Sequence, residues 1–170
     1  MNKKTMKAFT FKRYGKSPEL GFDDVDFPSP GDDEILVKVY AVGLNPIDNM
    51  IPTGMFKRVL HFSLPTTLGS DVSGVVVATG RRVTRFKAGD EVFASIFDRG
   101  TGSLAEFVRV PENLAALKPA TLDFVQAASL PMVSLTSWQA LTERAKLRAG
   151  QKVFIPAGSG GIGSFAIQLA

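Results

Sequence analysis

The sequence contains no cysteine, and His61 is its one histidine among 170 residues. The lack of cysteine excludes disulfide bonds, a thiolate nucleophile and every zinc site that depends on sulfur ligands. A single imidazole cannot form the several-ligand site that a catalytic zinc requires, so we interpret His61 as a loop residue. We therefore expect a protein without bound zinc.

Excess charge of one sign and long apolar runs are also lacking. The chain has 20 Lys and Arg residues against 16 Asp and Glu, and the basic residues are scattered, so nucleic acid is not an expected partner. The weakly polar stretch from Val153 to Ala170 contains Pro156 and several glycines, which favour a strand, a loop and a helix over a membrane span. No apolar signal-peptide core follows Met1, which predicts a cytoplasmic location and no membrane partner.

Strand signals dominate the first two thirds of the chain. From Lys7 to Val110, short apolar alternations are separated by turn residues, as in a sandwich or barrel. In Glu34 to Val42 the odd-numbered residues are apolar and point to one face, which predicts a strand. Further strands are predicted at Val72 to Thr79, Glu91 to Ser95 and Ala105 to Val110.

Helical signals follow. Asp123 can cap a short helix that runs through Ala128. A second helix is predicted from Ser134 to Ala145. The apolar residues at helical spacing in this second segment are Leu135, Trp138 and Leu141. We interpret Trp138 as a residue of the core or of a domain interface rather than as a stacking platform.

A glycine-rich turn follows the apolar segment Gln151 to Ala157, which predicts a buried strand. Gly158, Gly160 and Gly163 match G-x-G-x-x-G, in which the glycines allow a tight turn, close approach of a pyrophosphate, and packing of the next helix. Phosphates bind the free N–H groups at such a helix start. The candidate cofactor-binding residues are Gly158, Ser159, Gly160, Gly161, Ile162 and Gly163. A purely structural turn is the alternative.

Several stretches occur together in a recognisable order. They are Gly43 to Asp48, Leu68 to Val76, Lys87 to Val92, Gly102 to Phe107, Ala127 to Thr136 and Ala157 to Ala170. In this order they resemble the medium-chain dehydrogenase/reductase superfamily, and within it the zinc-independent quinone oxidoreductase and enone reductase group.

The resemblance implies a mainly β, GroES-like, partly open barrel followed by the first βα element of a Rossmann α/β domain. Residues 1–122 would form the substrate domain, and residues 123–170 would begin the NAD(P)-binding domain. Family members continue through the rest of the Rossmann sheet, so we expect an incomplete domain and a chain that is inactive alone. The residue that separates NAD from NADP is expected about 20 residues beyond the turn.

The resemblance also implies a reaction. Without a Lewis acid, a quinone or an α,β-unsaturated carbonyl can accept hydride because the acceptor itself delocalises the charge. We expect an NADPH-dependent reductase of these small molecules that works as a homodimer, with NADH not excluded as cofactor. Two alternatives remain open: an acyl-thioester enoyl reductase, and a non-catalytic short form that acts as a binding or oligomerising module.

Asn45, Asp48 and Thr136 are the other candidate site residues. The resemblance places Asn45 and Asp48 at the cleft near the nicotinamide and its ribose, where they are the candidate catalytic residues and Asn45 also binds the cofactor. It implies that the Thr136 hydroxyl reaches the cofactor. The alternatives are a turn at Pro46 that begins with Asn45, and a helix cap at Thr136.

Two departures from the family pattern affect the chemistry. Zinc-containing relatives keep metal ligands where this chain has Ser70 and Asp71, and we interpret Asp71 as a hydrogen-bonding turn residue that supports the barrel. Many quinone-reducing relatives carry a tyrosine where this chain has Met50. This difference leaves room for smaller enals and enones.

Overall fold

The fold consists mainly of two antiparallel sheets with four short helices. The computed structural model describes residues 4–100 and 102–170. The strands are β1 Thr5–Arg13, β2 Glu19–Asp26, β3 Glu34–Gly43, β4 Thr66–Thr67, β5 Asp71–Thr79, β6 Glu91–Ser95, β7 Phe107–Pro111 and β8 Ala115–Leu117. The helices are α1 Pro46–Thr53, α2 Phe124–Ala128, α3 Pro131–Trp138 and α4 Gly161–Leu169.

The larger sheet has the strand order β7-β3-β5-β6-β8. Antiparallel pairing of β3 with both β5 and β7 buries one face, on which Ile35 and Val37 are fully buried. Gly74 of β5 faces the Lys38 carbonyl so closely that a Cβ would lie 2.1 Å from that oxygen. The strands predicted from alternation are confirmed, although the last begins at Phe107 rather than at Ala105.

The smaller sheet, of order β2-β1-β4, packs beside the larger one without closing onto it. The two sheets meet at a bridge between Ala8 and Ala105, where the Phe9 N–H donates to the Leu104 carbonyl at 2.7 Å. Phe11 of β1 is fully buried against the rest of this region. The mainly β fold with open sheets is therefore confirmed.

The helical part begins at the predicted cap. Asp123 Oδ1 accepts from the Gln126 N–H at 2.7 Å, while Gln126 Oε1 accepts from the Asp123 N–H at 3.0 Å. After α3, residues 139–144 continue as a π-helical turn. The buried face predicted for this helix is wrong in part, because Trp138 is 53% exposed and only Leu141 of the three apolar residues is buried.

The buried strand predicted at Gln151 to Ala157 does not form. Val153 is 41% exposed and Phe154 is 89% exposed. A strand is stable only when a neighbouring strand takes up its backbone hydrogen bonds. Within residues 4–100 and 102–170, no strand pairs with this segment. The helix predicted after the turn is present as α4, so only the helical half of the predicted βα element is formed.

Candidate active site

A cleft of about 710 Å³ lies between the loop that leads into α1 and the helices α3 and α4. It brings together Asn45, Thr136 and the part of the glycine-rich turn from Gly160 to Gly163. The predicted site residues that do not line it are Asp48, Gly158 and Ser159. Residues from three separate parts of the sequence therefore face one space.

Asn45 enters the cleft from the end of β3, as the residue that precedes α1. Its N–H donates to Asp48 Oδ2 at 2.7 Å, and its carbonyl accepts from the Asp48 N–H at 2.9 Å. Pro46 is the first helical residue, where its missing N–H costs nothing. The predicted Pro46 turn is thus present, and it presents Asn45 to the cleft at the same time.

Asp48 lies behind Asn45 and is only 5% exposed. Burial raises the pKa of its carboxyl group, the hydrogen bond from the Asn45 N–H opposes this shift, and the nearby charge of Asp71 raises the pKa further. Its Oδ1 atom has no hydrogen-bond partner among the described residues. The geometry gives Asp48 a clear role in shaping the Asn45 turn, and its catalytic role stays a prediction.

Asp71 connects Asn45 to α3. Its Oδ2 atom accepts from Asn45 Nδ2 at 3.1 Å and from the Met132 N–H at 2.9 Å. Burial raises the pKa of Asp71, and the hydrogen bonds from Met132 and Asn45, together with one from the Ser95 side chain, oppose the shift. The residue supports the structure through hydrogen bonds as expected, but it is the first residue of β5 rather than part of a turn.

Helices α3 and α4 approach each other closely beside the cleft. The buried Ser137 Oγ lies 2.8 Å from both the Val133 and the Ile162 carbonyl oxygens and can donate to either. A Cβ added to Gly161 would lie 2.8 Å from Val133 Cγ1, so glycine is required for this approach. Thr136, next to Ser137, is thereby held at the cleft beside the start of α4.

The glycines of the turn have different steric surroundings. A Cβ on Gly158 would lie 2.9 Å from Ile167 Cδ1, and one on Gly163 would lie 2.3 Å from the Ala157 carbonyl oxygen. A Cβ on Gly160 would make only an ordinary contact, at 3.4 Å from Ala157 O, and the backbone of Gly160 is extended, with φ −77°. The fold therefore requires glycine at 163, where the contact is with backbone. At 158 a Cβ needs only a shift of the Ile167 side chain, and at 160 it needs none.

The described residues offer no ready metal site. Within residues 4–100 and 102–170, no group of three or more His, Asp or Glu side chains gathers where it could hold an ion. His61 is exposed in the loop before β4, and Ser70 is fully buried.

Sequence reasoning missed the side chains of α3 and of the π-helical turn after it that form one wall of the cleft. Val133, Ser137 and Leu141 recur at intervals of four residues and face the cleft, whereas Leu135 and Trp138 are about half exposed. The spacing of small and apolar residues at every fourth position was a usable signal. The larger side chains at 135 and 138 show helical spacing as well and dominate the pattern.

Residues 31–120 match the sequence profile of the alcohol dehydrogenase GroES-like domain family. The tomato (Solanum lycopersicum) 2-methylene-furan-3-one reductase is 40% identical over 97% of this chain and 44% of its own. The Arabidopsis thaliana chloroplastic NADPH-dependent alkenal/one oxidoreductase is 41% identical over 98% of this chain and 45% of its own. This chain belongs to the medium-chain dehydrogenase/reductase superfamily. Within that superfamily, its relatives are quinone and enone oxidoreductases, as the motifs predicted.

A solved structure of the same superfamily agrees with the fold. The quinone oxidoreductase from Coxiella burnetii superposes with a TM-score of 0.84 at 36% identity, over 98% of this chain and 53% of that one. The GroES-like domain is therefore confirmed. The chain spans about half the length of the relatives that it matches.

The predicted cytoplasmic location is wrong. Several relatives within the superfamily, at 38 to 41% identity, are named as chloroplastic, chloroplast-envelope or mitochondrial proteins. The prediction rested on the lack of an apolar signal-peptide core after Met1, and that pattern bears on secretion alone. Within the described ranges, no helix combines the length and apolar content needed to cross a bilayer.

Proposed function

We propose that the complete protein is an NADPH-dependent oxidoreductase that reduces quinones or α,β-unsaturated carbonyl compounds by hydride transfer without zinc. One observation carries the proposal: the cleft joins Asn45 and Thr136 to a glycine-rich turn in which Gly160 has no steric reason to be glycine. A glycine that the fold does not require is explained by close approach of a ligand, and a pyrophosphate is the ligand that this motif accepts.

The residues of the turn fit a dinucleotide. Helix α4 starts at Gly161, and its first free N–H groups lie at the positive end of the helix, where phosphate oxygens bind. Asn45 on the loop before α1 and Thr136 on α3 bring polar groups to the cleft from two walls and would orient the nicotinamide end. When bound, the cofactor supplies the hydride. Residues 123–170 would then begin the cofactor domain, and residues 1–122 would supply the side of the cleft that binds the hydride acceptor.

The acceptor side of the cleft is apolar. Ile47, Met50 and Phe56 contribute to its lining. Such a surface excludes water and suits a conjugated carbonyl compound, which needs little more than a hydrogen bond to the oxygen that gains charge. Met50 leaves more room than a tyrosine would, so we propose small enals and enones together with quinones.

The test is NADPH binding by two alanine variants of the complete protein. Gly160→Ala should leave the thermal midpoint unchanged but weaken NADPH binding by about 1–3 kcal/mol, because its methyl group takes the space of the pyrophosphate. Gly163→Ala is the matched control and should lower the stability itself, because its Cβ would meet the Ala157 carbonyl. Fluorescence titration and thermal denaturation provide the two measurements.

A substrate panel then tests the reaction. Quinones, enals and simple ketones are compared as acceptors for NADPH oxidation by the unmodified complete protein. We expect turnover of the conjugated acceptors in the presence of a chelator. Turnover confined to simple ketones and dependent on added zinc would contradict the proposal, as would equal NADPH affinity of Gly160→Ala and the unmodified protein.

A further inference from the structure

Asp71 lies at the junction between the barrel and the cleft. It is the first residue of β5, the middle strand of the larger sheet, where it pairs with Gly43 of β3 on one side and Ser95 of β6 on the other. These pairings fix its backbone from both sides. Because β3 ends at Gly43, Asp71 lies directly behind the loop that carries Asn45.

A single carboxylate oxygen of Asp71 connects two walls of the cleft. Oδ2 accepts from the Asn45 side chain at 3.1 Å and from the Met132 N–H at 2.9 Å. Met132 is in the first turn of α3, and Thr136 follows four residues later on the same face of that helix. The position of the Asn45 amide relative to Thr136 is therefore set through one atom.

The buried Asp71 carboxylate is unfavourable if its only role is to stabilise the fold. Asp71 is 1% exposed, and no ion pair among the described residues includes it. Its Oδ1 atom has no hydrogen-bond partner in the described part of the chain. A buried carboxylate without a cation costs more than a neutral acceptor would. The hydrogen bonds that the carboxylate accepts from two separate segments of the chain explain why Asp71 is buried here.

We propose that Asp71 is a positioning residue for the cofactor cleft, which holds Asn45 and α3 at the separation that lets Asn45 and Thr136 contact one ligand. Asp71 does not line the cleft, so it acts through Asn45 and Met132. The identity of the ligand rests on the proposed function. The linkage itself rests on the two hydrogen bonds.

Three variants of the complete protein test the role by NADPH titration. Asp71→Ala removes the shared acceptor and should weaken binding about tenfold, as expected for lost hydrogen bonds to a charged group. Asp71→Asn keeps one oxygen in the accepting position and should stay within about threefold of the unmodified protein. Ser73→Ala is the matched control. Ser73 is on the same strand as Asp71, and its buried hydroxyl donates to the Phe124 carbonyl, away from the cleft. It should lower stability without changing NADPH affinity.

A double-mutant cycle separates positioning from general loss of structure. If Asp71 acts through Asn45, then Asp71→Ala should weaken NADPH binding less in an Asn45→Ala background than in the unmodified protein. The same tenfold loss in both backgrounds would overturn the proposal. So would equal affinity losses in Asp71→Ala and Ser73→Ala.

A measurement without cofactor keeps the inference testable if the proposed function fails. In ¹⁵N spectra of the complete protein, Asp71→Ala should shift both the Asn45 side-chain amide and the Thr136 backbone amide, and Asp71→Asn should largely restore them. Unshifted signals in Asp71→Ala would overturn the inference. Absence of NADPH binding by the unmodified protein would instead refute the proposed function, while the spectra would still decide the role of Asp71.

Discussion

Replacing Gly43 by alanine adds a methyl group where β3 leaves the sheet toward the cleft. A Cβ built there would lie 2.3 Å from the Ala128 carbonyl oxygen and 3.1 Å from the Asp71 Cβ. Ordinary contacts begin near 3.4 Å, so the end of α2 must retreat by about 1 Å. The added methyl group would also press on Asp71, which supports Asn45.

The size of the effect follows from this overlap. Overpacking by one methyl group costs about 1–3 kcal/mol. In a chain of this length each kcal/mol lowers the thermal midpoint by about 2–4 °C, so we expect a fall of about 2–12 °C in Gly43→Ala. NADPH affinity should fall as well, because Asn45 loses part of its support.

Thermal denaturation of matched variants provides the assay. Gly21→Ala in β2 is the control, because a Cβ there would meet no atom within 4 Å. Its midpoint should stay unchanged or rise slightly, since alanine reduces the entropy of the unfolded chain. Equal midpoints for Gly43→Ala and Gly21→Ala would refute the reasoning, because they would mean that the β3 end and α2 are not in tight contact.

Two further variants test the helix contact and the buried carboxyl group. Ser137→Ala removes the hydroxyl that links α3 to the Ile162 carbonyl, and it should lower the free energy of unfolding by about 1–2 kcal/mol in urea denaturation; an unchanged value would contradict the contact. Asp48→Asn tests the pH dependence. Because burial raises the pKa of Asp48 in the folded state, its contribution to stability is fully present below about pH 4 and is lost as the pH rises through the raised pKa. The asparagine side chain cannot ionise, so above this pH range the denaturation midpoint of the variant should rise relative to that of the unmodified protein. Parallel pH profiles of the two midpoints would contradict the raised pKa.

Local sequence patterns were sufficient to predict the strands of the larger sheet. The alternation in β3 is visible because one face of the strand is buried, and the Asp123 cap depends only on residues three positions apart. Of the residues that the family motifs indicated, Asn45 and Thr136 line the cleft, whereas Asp48 lies behind it, and their roles stay predictions. Features that depend on neighbours close in sequence, or on a conserved order of motifs within a family, are therefore accessible without a structure.

Features that depend on distant neighbours were not accessible. The segment Gln151 to Ala157 has the composition of a buried strand, yet a strand needs a partner that composition cannot supply. The buried face of α3 is decided by where α4 packs, through Ser137 and Gly161, rather than by the spacing of Leu135 and Trp138. The link from Asp71 to Met132 spans 61 residues and depends on the register of β5.

The unpaired segment 151–157 has a consequence for association. No partner strand within the described ranges takes up its backbone hydrogen bonds, so nothing in this part of the chain specifies a register for it. Phe154 is 89% exposed, and an apolar side chain in water of this kind promotes association with other apolar surfaces. Val153, Phe154 and Ile155 of the same segment also line the cleft beside the glycine-rich turn. Association through this segment and ligand binding in the cleft would therefore draw on the same side chains.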